Sequence, residues 1–141
     1  MKNAHKIGAN LTESTRDIVE ALISAGVAAG IAGSSRPCSG SEHLFSHALD
    51  VIAPGKGLHG EKCGIGTILM AKLHELDWNE IKIALESIGA PTNFTSFGIS
   101  KEQVVDALLL APRLRDRFTI LHKLNLNKEA ATKLVELTEV V

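Results

Sequence analysis

Tyrosine is absent from this 141-residue chain, and aromatic residues make up only 4% of it. With so few rings, base-stacking platforms for single-stranded nucleic acid are hard to build. No excess of positive charge exists either: 15 Lys and Arg against 16 Asp and Glu leave a net charge of −1 with neutral His. A phosphate backbone therefore finds no broad counter-charge, and no nucleic-acid partner is expected. Cysteine is scarce. Cys38 and Cys63 form neither a CxxC pair nor a disulfide framework, which points to a reducing, cytoplasmic setting. Long apolar runs are also missing. The longest uncharged one, Ala21 to Ser35, is broken by Gly26, Gly30 and Gly33 and falls short of the roughly 20 residues that span a bilayer. The first ten residues have no apolar core of a signal peptide. No strand-linked GxGxxG, Walker A, HExxH or GxSxG occurs.

What remains is 45% hydrophobic and 22% charged, the balance of one folded domain over residues 1–141. Its pattern is helical throughout. Ile18, Val19, Leu22, Ile23 and Val27 recur on one helical face. Gly26 and Gly30 interrupt that helix, a sign that another backbone approaches it closely. Ser39–Glu42 reads as a capping box ahead of a helix through Leu44, Phe45, Ala48, Leu49 and Ile52. Pro54–Gly57 ends it, and a further helix opens near Gly60. Asp77–Glu80 and Ser100–Gln103 are further helix starts, and Gly89–Pro91 is a helix stop. Arg113 to Arg117 is taken as a short helix, and Asn127 begins the last one. No period-two alternation marks a strand. The fold class is all-α, a helical bundle.

Three of the six histidines fall close together in sequence: His43, His47 and His59. His43 and His47 are four apart, so one helix presents both on one face. His59 lies at the mouth of the next helix. Three imidazoles within reach suit Zn²⁺ or Fe²⁺, with Glu42, Asp50 and Glu61 nearby as outer acceptors. The competing reading gives the three histidines packing and capping roles alone. The small-residue segment Gly30–Ser41, with Arg36, is either an anion cradle or an ordinary loop, and its composition favours the loop. Gly60, Gly64 and Gly66 imply tight packing by a ligand, a neighbouring domain or another helix. Lys62 is either a solvent lysine or a charge beside a ligand. Arg113, Arg115 and Arg117 form a solvated face or receive an acidic partner.

At GIAGSSRPCSGSEHLFSHALD and LHGEKCGIGT the sequence resembles the archaeal sn-glycerol-1-phosphate dehydrogenase family, from about Thr12 onward. That family belongs to the iron-dependent alcohol dehydrogenase, glycerol dehydrogenase and dehydroquinate synthase superfamily. The resemblance implies the C-terminal helical domain of such an enzyme. It implies that His43 and His59 bind Zn²⁺ and that His47 contacts substrate. In the family a single Zn²⁺ is held by two His and one Asp. The enzyme reduces dihydroxyacetone phosphate with NAD(P)H to sn-glycerol 1-phosphate, the backbone of ether phospholipids. The family's nucleotide-binding glycines and its metal-binding Asp have no match here. The expectation is therefore a fragment, inactive alone, that works with an N-terminal NAD(P)-binding domain in a homo-oligomer. The isolated chain is expected to self-associate across the face around the histidines. A free-standing helical binding module and half of a polyol dehydrogenase are the alternatives.

Overall fold

The computed structural model describes residues 3–141. Eight helices succeed one another: α1 (Ala4–Ala9), α2 (Thr15–Ala32), α3 (Ser41–Ile52), α4 (His59–Leu73), α5 (Trp78–Ser87), α6 (Lys101–Leu110), α7 (Ile120–Leu124) and α8 (Lys128–Thr138). Short 3₁₀ turns occupy Arg36–Cys38, Phe94–Phe97 and Ala111–Arg113. No strand occurs among the described residues, so the all-α reading holds. None of these helices is long and apolar enough to cross a membrane.

Local chemistry sets most boundaries. The Asp77 carboxylate accepts from the Glu80 N–H at 3.0 Å and starts α5. Ser100 and Gln103 exchange side-chain bonds with each other's backbone N–H and start α6. Asn127 accepts from the Ala130 N–H at 2.8 Å and starts α8. Gly89 takes a positive φ just past α5, where a side chain would be strained.

The core lies between α3, α4, α6 and α8. Leu44, Phe45, Ala48 and Leu49 are the buried side of α3, and Phe45 meets Phe94 edge to face at 5.7 Å between ring centroids. Gly66 lets α4 close on α3, since a Cβ there would stand 3.0 Å from Phe45 Cδ1. Gly8 does the same for α1, where a Cβ would run into the Ser87 carbonyl of α5. The inward face of α3 thereby turns its other side, with His43 and His47, outward beside α4.

Several expectations fail for identifiable reasons. Ser39 does not cap α3. Its carbonyl and hydroxyl oxygens accept from Arg117 at 2.7 and 3.0 Å, and Gly40 is the N-cap instead. Residues 114–117 are irregular, so the arginine segment forms only the 3₁₀ turn at its start. The α2 face carrying Val19, Leu22, Ile23, Val27 and Ile31 is exposed, with Ile31 85% accessible. Among the described residues, nothing outside the helix lies within 4 Å of where a Cβ at Gly26 or Gly30 would stand. The Arg36–Cys38 turn is the main packing partner of α2, tied on by the Cys38 thiol donating to the Ala25 carbonyl at 3.3 Å. α2 thus carries a broad apolar surface of its own, while Val51 and Leu58 are the exposed apolar residues beside the histidines.

Candidate metal centre

The amphipathic pattern of α3 determines the site. Because Leu44, Phe45, Ala48 and Leu49 turn inward, residues 43, 47 and 50 lie on the outer side of the helix. His59 is the first residue of α4, whose entry is fixed by the Glu61 carboxylate accepting from the Leu58 N–H at 2.7 Å. Close packing of α4 on α3 then sets the His59 ring between the two α3 histidines. Its centroid lies 5.2 Å from that of His43 and 5.3 Å from that of His47. All three sequence-predicted residues therefore come together.

The ring nitrogens are organised. His43 Nδ1 lies 2.7 Å from Glu42 Oε1. His59 Nδ1 lies 2.9 Å from the hydroxyl of buried Ser46. A ring that donates through Nδ1–H keeps its lone pair on Nε2, the arrangement that imidazole ligands of metals adopt when a neighbouring acceptor holds the other nitrogen. The His59 Nε2 faces the Cys63 sulfur at 3.5 Å. Two groups of donor atoms lie within 4.8 Å of one another: His43, His59 and Cys63, and His47, Asp50 and His59. The donor set fits a borderline divalent cation such as Zn²⁺.

Charge supports the arrangement. Burial of Glu42 opposes its ionisation, but the Gly40 N–H at 2.8 Å and the His43 ring hold its carboxyl below the usual carboxylate value. Burial pushes the His47 imidazole down, and the Arg115 charge and the nearby His59 push it further, against Asp50. These influences together favour the neutral ring. Burial pushes the Cys63 thiol up. Lys62 is buried, 3% exposed, and its ammonium pairs with Asp50, so it is not a solvent lysine.

Other singled-out residues lie elsewhere. The Gly30–Ser41 segment contributes Arg36, Ser39 and Gly40 to an open cleft of about 560 Å³, also walled by Met70 and Ile81, and no histidine of the cluster lines it. Gly64 meets Leu85, Gly66 meets Phe45, and Gly60 meets nothing within 4 Å. Sequence reasoning missed Cys63 as a donor. The signal was its place four residues after His59, one helical turn along the same face.

No family model matches the chain. Relatives do. The chain is 54% identical over 142 residues to the glycerol-1-phosphate dehydrogenase [NAD(P)+] of Nitrosopumilus maritimus, with all of this chain and 40% of the relative covered. It is 59% identical over 126 residues to that of Cenarchaeum symbiosum, covering 89% of this chain and 36% of the relative. It is 52% identical to that of Methanothermobacter thermautotrophicus, covering 100% and 41%. The chain spans about 40% of the length of these curated relatives. By this identity along its whole length, the chain belongs to the glycerol-1-phosphate dehydrogenase family.

Proposed function

We propose that this chain is the helical, metal- and substrate-binding part of a cytoplasmic NAD(P)-dependent glycerol-1-phosphate dehydrogenase. Its substrate is dihydroxyacetone phosphate and its product sn-glycerol 1-phosphate, used for ether phospholipids. The relatives carry NAD(P)+ in their names and are about 2.5 times as long as the matched segment. The remaining part supplies the nucleotide site and the carboxylate that joins the metal, and the enzyme works as a homo-oligomer. The observation that carries this reading is the meeting of His43 and His59 with both Nδ1 atoms already engaged.

Each residue has a physical task. His43 and His59 would hold Zn²⁺, each through the ring nitrogen its neighbour leaves free. When bound, the cation withdraws electron density from the ketone oxygen, so the carbonyl carbon accepts hydride more readily. Glu42 keeps the proton on His43 Nδ1 and fixes the ring plane. Ser46 does the same for His59 from the buried side of α3. His47, stacked beside His59, binds the substrate hydroxyl and passes its proton to or from water. Asp50, held by Lys62, lies 4.0 Å from His47 Nδ1 and biases the ring to carry its proton there. In the complete enzyme, NAD(P)H oxidation dependent on dihydroxyacetone phosphate tests the reading. His43→Ala and His59→Ala should abolish it, and His47→Ala should lower it while metal stays bound. Full activity in His59→Ala would overturn the reading.

A further inference from the structure

A phosphate ester bound at His47 brings a doubly negative group to a place that already holds the Glu42 and Asp50 carboxylates. A cation has to meet it there. The cations of the region sort themselves by what they already touch. The Lys62 ammonium is buried and engaged by Asp50. The Arg117 guanidinium donates to the Ser39 carbonyl and hydroxyl and, at 3.3 Å, to the Ser35 hydroxyl. Arg36 lines the cleft that no histidine of the cluster reaches, and Arg113 lines a separate pocket with His122. Arg115 remains. It is exposed, and among the described residues no carboxylate pairs with its guanidinium.

The backbone on both sides of Arg115 is anchored at α3. The Ala111–Arg113 turn packs on α3, and Leu114 packs against the core. Arg117 ties the following residues to Ser39, just before α3 begins. The Arg115 carbonyl accepts from the Arg117 N–H at 2.8 Å, which tightens the segment between these anchors. The Arg115 charge acts on His47 more strongly than that of His59, whose ring centroid is 5.3 Å from that of His47.

We propose that Arg115 binds the phosphate of the substrate while His47 holds its hydroxyl, so that this arginine selects phosphorylated over neutral ketones. This rests on the functional reading above and names the group that recognises the phosphate. A guanidinium offers parallel N–H donors to two phosphate oxygens. An exposed guanidinium without a carboxylate partner gives up water on binding and breaks no ion pair of the fold.

Steady-state kinetics of the complete enzyme and calorimetry with inorganic phosphate test this. Arg115→Ala, checked for helicity and zinc content, should raise the KM for dihydroxyacetone phosphate roughly tenfold to hundredfold and weaken inorganic phosphate binding by a similar factor. Its kcat should change far less, because the phosphate is held alike in the ground and transition states. Arg115→Lys keeps the charge without the fork and should recover part of the loss. Arg113→Ala should behave as wild type. In Arg115→Ala, a KM and a phosphate affinity within about twofold of wild type overturn the role of Arg115 and leave the functional reading standing. A KM rise confined to NAD(P)H, or loss of zinc, overturns it as well. A wild-type enzyme that reduces no dihydroxyacetone phosphate overturns both.

Discussion

The pairing of Asp50 with Lys62 makes an asymmetric prediction. Lys62 is 3% exposed, whereas the Asp50 side chain is 45% exposed. Breaking a fully buried pair by removing one partner costs about 3–5 kcal/mol, and a surface pair contributes about 0–1 kcal/mol. With water reaching one partner, Asp50→Asn should fall between these limits, at about 1–3 kcal/mol, because it strands the ammonium without its counter-charge. Lys62→Met keeps the buried stem, removes the ammonium and leaves Asp50 to solvent, so its cost should be near zero. The double variant should match Lys62→Met, since the stranded charge is gone. Urea unfolding followed by circular dichroism measures all three. At about 4 °C per kcal/mol, melting temperatures should separate Asp50→Asn from the others by several degrees. The reasoning fails if Asp50→Asn is within about 0.5 kcal/mol of wild type, or if Lys62→Met costs as much as Asp50→Asn.

Three further outcomes follow from the packing and the charges. Phe45→Ala should cost about 3–5 kcal/mol in urea unfolding, because the ring fills the space between Phe94 and Gly66, and Gly66→Val should cost about 1–3 kcal/mol by crowding that ring. Glu42 has a depressed pKa in the folded state, so its contribution is present above the ordinary carboxylate value and is lost as pH falls through the lower folded value. In metal-free chain, Glu42→Gln should therefore flatten the acid side of the stability–pH curve and leave stability unchanged at its low-pH end. The isolated chain should self-associate through α2, and Ile23→Lys with Val27→Lys should render it monomeric by light scattering. A monodisperse wild-type monomer at high concentration would contradict that.

Much of the fold was legible because its signals are local. Asp77, Ser100 and Asn127 cap helices through bonds to residues three positions on, and a short window of sequence contains both partners. Ser39 looked equally convincing and misled, since its oxygens are claimed by Arg117, 78 residues away. α7, with five residues, is too short for periodicity to register. The glycines of α2 suggested a packed helix, but the described residues bring nothing against them. At the site, the spacing of His43 and His47 was readable, whereas the arrival of His59 between them depends on how α4 packs over Gly66 and Phe45. The approach of Cys63 to His59 Nε2 at 3.5 Å was hidden for the same reason, since it depends on which way the His59 ring turns.

The proposed function depends on His43 and His59 gripping one cation. A crystal of the zinc-loaded chain, measured on either side of the zinc absorption edge, tests it most directly. One anomalous peak is expected about 2.0–2.1 Å from a ring nitrogen of both residues. A peak bound elsewhere, or none at these two nitrogens in crystals whose bulk zinc content is stoichiometric, would contradict it.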